Sequence, residues 1–427
     1  MSYYRVICHK LFFVLLTLVL SLITSNLFAQ PLAEGHNKFL GCIISYNVPA
    51  DFDDYWNQVT PENAGKWGSV EATRNVYNWD TLDKAYKHSR DMGYPFRLHV
   101  LVWGKQQPAW ITDLDSLEQA EEVEEWIMMV GDRYPDIEYV EVVNEAIEWS
   151  TYDYYPSYYK ALGGEGETGW DWVIWAFEKA RIYFPNAKLY LNEYQIFGGN
   201  KSITTYLKII NLLKERNLID GICEQGHFLE STSAKTIQTK LDKLAETGLP
   251  IQITEFDLQF EDDAQQLAKY QAIFPTLWQH PAVEGITFWG YKQGSLWRTN
   301  AYLVRTDGSE RPALEWLRQY LTETVNVNDK TINLPTGFNL NQNYPNPFNP
   351  STSIHYSLSN IGNVSLVVYN LQGRKIRTLE NTVKQIGHYS VVWDATDDNR
   401  NPVASGIYIC VLNNGTTTRQ IKMTLVR

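Results

Sequence analysis

The chain has 427 residues, 44% hydrophobic and 20% charged, too apolar for a disordered protein and long enough for two domains. Its formal net charge is −12, and no Lys/Arg cluster offsets it, so no nucleic-acid partner is expected. Trp (15) and Tyr (27) together far outnumber Phe (16); rings with a polar tip serve in wet clefts as well as in cores, a bias consistent with carbohydrate binding.

Residues 1–29 read as a secretory signal. Arg5 and Lys10 give the positive start, an apolar run from Leu11 to Ile23 follows, and Ser25-Asn26-Leu27-Phe28-Ala29 fits a cleavage region. The run falls short of the roughly 20 residues a spanning helix needs; an uncleaved anchor is the competing reading. Cys8 leaves with the signal. Cys42, Cys223 and Cys410 remain, with no metal-motif spacing and room for one disulfide at most. The apolar runs around Cys42 and Cys223 favour buried free thiols.

Residues 30–324 form the main domain. Strand-like apolar runs at 38–45, 57–60, 96–103, 139–145, 188–193, 221–227, 251–255 and 285–289 alternate with helical segments such as 117–133, 172–183, 203–216, 235–247 and 264–278. In 203–216, Tyr206, Leu207, Ile210 and Leu213 recur at helical spacing. Eight strand–helix units predict an α/β fold, a (β/α)8 TIM barrel. A doubly wound open sheet is the alternative, weakened because no glycine-rich phosphate loop follows the first strand.

Residues 325–337 read as a linker, mostly polar and without helical period, ending in Pro335-Thr336-Gly337. Charge changes here: residues 334–427 hold eight Lys/Arg against four Asp/Glu, while residues 30–333 carry −18. Residues 338–427 open on Asn343-Tyr344-Pro345-Asn346-Pro347-Phe348-Asn349-Pro350, where three prolines forbid a helix. Short strand-like runs follow at 364–369, 389–393, 407–412 and 420–426, separated by turn residues: a small all-β sandwich.

In a barrel, polar residues at the C-terminal strand ends face the active site. Here the strands end in Trp103, Asn144-Glu145, Asn192-Glu193-Tyr194, Gln225-Gly226-His227, Glu255-Phe256-Asp257 and Trp289. That set has carboxylates, amides, a His and indoles, with no metal-ligand spacing and no nucleotide motif. Neither a metal nor a cofactor is expected. It suits breaking a glycosidic bond, which needs one carboxylic acid to protonate the leaving oxygen and one carboxylate on the other side of the sugar. Each residue also has a plainer reading. A lone Glu ending a strand is often a surface or capping residue, Trp289 and Trp297 could be core aromatics, and His99 and His227 could be satisfied core histidines.

Residues 37–320 resemble glycoside hydrolase family 10, the β-1,4-xylanases. The matching runs, in the family's order, are TPENAGKW (60–67), HVLVW then QQPAW (99–110), EVVNEAI (141–147), LYLNEYQ (189–195), DGICEQGHF (220–228), ITEFDL (253–258), ITFWG (286–290) and SLWR (295–298). The resemblance implies Glu145 as general acid/base and Glu255 as nucleophile. It implies His227 and Asp257 as the pair holding the nucleophile, Asn144 on the sugar's 2-hydroxyl, and Gln225 near both carboxylates. Glu62, Asn63, Lys66, His99, Trp103, Gln106, Trp289 and Trp297 would line the sugar sites on the non-reducing side, and Tyr194 would border the leaving-group side. The expected activity is a retaining endo-1,4-β-xylanase acting on xylan or xylo-oligosaccharides as a monomer, with the carboxyl groups about 5–5.5 Å apart. Retention needs the Glu145 pKa raised by the neighbouring negative charge and partial burial. Another β-1,4-glycanase, or a non-catalytic polysaccharide-binding barrel, stays open. Two positions depart from the pattern: Gly104 stands where a second His is usual, and Glu193 where Asp is commoner.

The tail resembles the C-terminal sorting domain of the type IX secretion system, through NYPNPFNPST (343–352), VYNLQGRKI (368–376), Trp393-Asp394 and SGIYI (405–409) before a basic end. This implies passage through the periplasm and the type IX machinery to the surface or medium of a Gram-negative bacterium. An accessory β-domain that binds substrate or spaces the enzyme is the other reading.

Overall fold

The computed structural model describes residues 30–147, 155–199, 202–328, 338–343, 345–360, 362–384 and 387–426. The expected signal, residues 1–29, lies outside them, as does most of the expected linker. The chain divides between Val325 and Asn326 into two units.

The first unit is built on β1 (Phe39–Ile44), β2 (Val59–Pro61), β3 (Arg97–Leu98), β4 (Tyr139–Asn144), β5 (Lys188–Glu193), β6 (Gly221–Glu224), β7 (Ile251–Phe256) and β8 (Val283–Phe288). All neighbours pair in parallel, in the order β2-β1-β8-β7-β6-β5-β4-β3. A parallel bridge between Val59 and Phe96 closes the cylinder, helped by the Val59 N–H donating to Pro95 O at 3.0 Å. The (β/α)8 expectation therefore holds, with two differences. The run 96–103 is regular strand only at Arg97–Leu98. Beyond it the chain still follows β4, with the Leu101 and Val102 N–H groups donating to Glu141 O and Val142 O at 3.1 and 2.9 Å. Also, β1 is followed by a 3-10 turn (Phe52–Asp54) rather than a helix.

Helices α1 (Asp80–Met92), α2 (Ser116–Arg133), α3 (Asp171–Tyr183), α4 (Ile203–Lys214), α5 (Ala234–Ala245), α6 (Asp263–Gln279) and α7 (Pro312–Asn328) follow β2 to β8 in turn. In α2, Asp115 accepts from the Leu117 and Glu118 N–H groups while Glu118 reaches back to the Asp115 N–H, a capping box contributing about 1 kcal/mol. Val123, Trp126, Ile127 and Val130 recur at the helical period, and all are buried. Helix α7 runs through the first four residues of the expected linker, which is a correction. A few apolar residues among polar ones suffice when the helix is anchored upstream by buried Leu314, Leu317 and Leu321.

The barrel lumen is polar where such barrels usually hold branched aliphatics. Gln252 Nε2 donates to Glu284 Oε2 (3.1 Å), Arg97 Nη1 to Gln252 Oε1 (3.3 Å) and Arg97 Nη2 to Thr254 O (2.7 Å), and Arg97 Nε lies 2.9 Å from Glu141 Oε1. Arg97 and Glu141 are fully buried, so their opposite charges must neutralise each other there.

The second unit is all-β: β9 (Asn339–Leu340), β10 (Thr352–Leu358), β11 (Gly362–Asn370), β12 (Lys375–Lys384), β13 (Gly387–Trp393), β14 (Gly406–Asn413) and β15 (Thr418–Leu425). They make antiparallel sheets β13-β10-β9 and β12-β11-β14-β15 around one core that includes Ile354, Leu366, Val368, Trp393, Cys410 and Leu412. The four expected strands are β11, β13, β14 and β15. Strand β12 escaped the sequence reading because it is an edge strand with no fully buried position, so it carries no alternation. Cys42 and Cys223 are buried free thiols, as expected, and Cys410 is one too.

Candidate active site

Glu255 lies near the end of β7 and Glu145 directly follows β4. Asn192 Nδ2 donates to Glu255 Oε1 at 2.8 Å, and His227 Nε2 lies 3.3 Å from Oε2. His99 Nδ1 sits 4.0 Å from Glu255 Oε1 and 2.7 Å from Glu141 Oε2. The other ring nitrogen of His227, Nδ1, lies 3.0 Å from Asp257 Oδ1. Glu255, His227 and Asp257 are all buried.

Gln225 contacts both acidic residues, the backbone of Glu255 and the carboxylate of Glu145. Its backbone carbonyl accepts from the Glu255 N–H at 2.7 Å, and its Nε2 donates to Glu145 Oε1 at 3.1 Å and to Asn144 Oδ1 at 3.2 Å. Glu145 has φ 59, a left-handed conformation costing on the order of 1 kcal/mol that its surroundings must impose. Its N–H donates to Asn192 O at 3.0 Å. Two residues on, the Ile147 N–H donates to Glu193 Oε2 at 2.9 Å, while Glu193 Oε1 accepts from the Tyr194 N–H at 2.9 Å. Glu193 thus fixes the turn that carries Glu145.

The β2 and β3 loops supply a second cluster. Lys66 Nζ donates to Asn63 Oδ1 (2.9 Å) and Gln106 Oε1 (2.7 Å) and lies 4.9 Å from the centre of the Trp103 ring. Glu62 accepts from the Ser45 hydroxyl. Trp289 is buried with its ring 5.0 Å from that of His99, whereas Trp297 is 53% exposed and donates its indole N–H to Asp257 Oδ2 at 3.0 Å. Tyr194 is half-buried at the end of β5, and Gly104 is half-buried after Trp103. Every expected site residue therefore stands at the C-terminal ends of the strands, the two clusters meeting at His99.

Burial and charge sort the titratable groups. Burial lowers the His99 pKa to about 3, leaving it neutral. Burial opposes charge on His227 too, but Asp257 and Glu255 outweigh it and lift its pKa to about 10. Glu141 is raised to about 7 by burial, against the pull of Arg97. Burial lowers Lys66 despite Glu255, Glu62, Glu145 and Glu141 around it. One ligand atom each from His99, Glu141 and Glu255 lies within 4.8 Å of the others, a spacing a metal could bridge. Arg97 already neutralises Glu141 there, and Asn192 donates to both carboxylates.

Sequence reasoning assigned no role to Asn192, Glu141 or Arg97. Asn192-Glu193 ends β5 as Asn144-Glu145 ends β4, a repeated pattern that could have flagged Asn192. Arg97 and Glu141 sit in apolar runs whose sequence gives no sign that the lumen is polar.

The fold and its paired, separately supported carboxylates define a (β/α)8 barrel with a glycoside-hydrolase type of site. The chain belongs to glycosyl hydrolase family 10, whose model matches residues 33–320. It is 40% identical over 290 residues to endo-1,4-beta-xylanase B of Cellvibrio japonicus, covering 67% of this chain and 46% of that protein. It is 29% identical over 283 residues to anti-sigma-I factor RsgI6 of Acetivibrio thermocellus, covering 64% and 35%. The chain thus spans less than half the length of these two curated relatives. Xylanase 10B from Thermotoga petrophila RKU-1, solved in complex with xylobiose, superposes with TM-score 0.62 at 26% identity, covering 71% of this chain and 99% of that one. Residues 350–417 match the FlgD Ig-like domain model.

Proposed function

We propose that the protein is an endo-1,4-β-xylanase that hydrolyses internal xylosidic bonds with retention. The observation that carries this reading is two buried acidic residues joined through Gln225, by its side chain to the Glu145 carboxylate and by its backbone to the Glu255 N–H, with the two carboxylates in different environments. Glu255 is braced on one oxygen by the Asn192 amide and on the other by a charged His227, which stabilises an anion able to attack the anomeric carbon. Glu145 Oε1 takes hydrogen bonds from the neutral amides of Asn144 and Gln225, a setting different from that of Glu255 and suited to the acid/base role. In the first step Glu255 forms the glycosyl-enzyme while Glu145 protonates the leaving oxygen. In the second, Glu145 takes a proton from water, which attacks the same carbon and breaks its bond to Glu255, freeing the sugar and the carboxylate.

Lys66, Asn63 and Gln106 form a hydrogen-bonding floor for sugar hydroxyls, and Trp103, Trp289 and Trp297 offer apolar faces to the pyranose rings. The xylanases among the relatives support xylan over glucan as substrate. A relative named as an anti-sigma factor keeps the non-catalytic binding reading in view; the intact Glu255–His227–Asp257 support favours turnover. Release of reducing sugar from xylan but not β-glucan, with the β-anomer of the product appearing first by NMR, tests the proposal. Initial α-anomer would replace retention by inversion.

The tail is proposed as an export address read by the type IX machinery, placing the enzyme at the surface or in the medium of a Gram-negative bacterium. The NYPNPFNPST run and the Ig-like match support it. Mass measurement of the exported protein, with and without residues 338–427, tests it: a tail-deleted chain that still leaves the cell refutes the address.

A further inference from the structure

Charges alternate in sign along a row of five side chains leading away from Glu255. After Glu255, His227 and Asp257 comes Arg298, whose Nη1 lies 2.6 Å from Asp257 Oδ1, the oxygen that also faces His227. Arg298 Nη2 lies 2.7 Å from Glu230 Oε1. Glu255 and Asp257 belong to β7 and its loop, His227 and Glu230 to the loop after β6, and Arg298 to the loop after β8. Glu230 Oε1 also accepts from the Gln259 N–H at 2.8 Å, and the Arg298 guanidinium lies 4.7 Å from the centre of the Phe228 ring. Arg298 is about one-tenth exposed, so its ion pairs are little screened by solvent.

We propose that Arg298 is a positioning residue for the reaction: its guanidinium fastens the β8 loop to the β6 and β7 loops, seats the adjacent Trp297 over the sugar site, and fixes the rotation at which Asp257 grips His227. This rests on the hydrolase reading above. A planar fork can meet Asp257 and Glu230 together at set angles, whereas an ammonium acts as a single point charge. Without the fork, Asp257 Oδ1 keeps only His227 among these partners. Trp297, half out in solvent, keeps the Asp257 hydrogen bond and edge contacts to His227 and Phe228 at 4.8 and 5.9 Å. Two separable defects follow. A loosened Trp297 weakens sugar binding. A rotated Asp257, with one positive charge removed nearby, weakens the support that His227 gives the ionised nucleophile.

The test compares the full chain with Arg298→Met, Arg298→Lys and Glu230→Ala, reading kcat and KM on an aryl β-xylobioside across the acidic and neutral range, with thermal melts as a folding control. For Arg298→Met, kcat/KM falls roughly tenfold to a hundredfold, the size of a lost charged hydrogen bond. KM rises, and the acidic limb of kcat/KM moves to higher pH. Arg298→Lys returns the limb towards wild type without restoring KM. Glu230→Ala changes both in the same direction by less. A folded Arg298→Met with unchanged limb and KM overturns the proposal, as does full rescue of both by lysine. If Arg298→Met does not fold, an unaltered KM and limb in Glu230→Ala overturns it. A wild-type chain that fails to turn over the xylobioside counts against the hydrolase reading instead.

Discussion

Asn192 holds Glu255 through an amide hydrogen at 2.8 Å, and its second contact, 3.1 Å to Glu141, places this neutral group between two buried carboxylates. The Thr254 hydroxyl, donating to Asn192 Oδ1 at 2.8 Å, fixes which way the amide points. Asn192→Ala is expected to lower kcat about tenfold to a hundredfold with little change in KM, because it removes a hydrogen bond to a charged group rather than a sugar contact. Asn192→Asp places a third carboxylate there and loses more. Steady-state kinetics on xylo-oligosaccharides decide it.

Glu255→Ala and Glu145→Ala are each expected to reduce xylan turnover by several orders of magnitude while the melting transition survives, since neither side chain joins the apolar core. They differ on an aryl xyloside with a good leaving group. There Glu145→Ala keeps a rapid first burst, because departure no longer needs a proton, and Glu255→Ala does not. A burst in the Glu255 variant would exchange the two roles.

Stability should depend on pH through His227. Its folded pKa of about 10 lies above the ordinary histidine value of about 6.5, so the folded state holds the proton more tightly. The stabilisation is complete below about pH 6.5 and is lost as pH rises towards 10. Melting temperatures of wild type and His227→Gln should therefore converge across that interval; a constant gap contradicts a charged His227.

Glu193→Ala should destabilise the barrel by about 2–4 kcal/mol, since the Ile147 and Tyr194 N–H groups both lose a buried acceptor. It should also cut kcat, because the turn at Glu145 loosens. Glu193→Gln keeps one acceptor and should lie between. Denaturant melts and kcat, measured together, check both.

The strand ends that carry the chemistry were legible because each closes an apolar run with a polar residue, as at Val143-Asn144-Glu145 and Thr254-Glu255. The order of the family's runs set Glu145 and Glu255 together as the expected pair before any coordinates. What stayed hidden depends on contacts across the barrel. Arg97 and Glu141 are 44 positions apart and make sense only as a pair. Glu193 looked like a mild replacement for aspartate, yet it clamps the turn beside it. In the tail, β12 gave no signal because an edge strand with no fully buried position shows no clear alternation.

The polar lumen has a consequence for altering this protein. From Glu284, beside the N-terminal mouth, contacts pass through Gln252, Arg97 and Glu141 to Asn192 and so to Glu255. Barrels are commonly treated as a stabilising base that can be rebuilt without touching the chemistry above it. Here the base and the reacting oxygen share one interlocked set of side chains, so hardening the lower rim with hydrophobic replacements would retune the nucleophile as well.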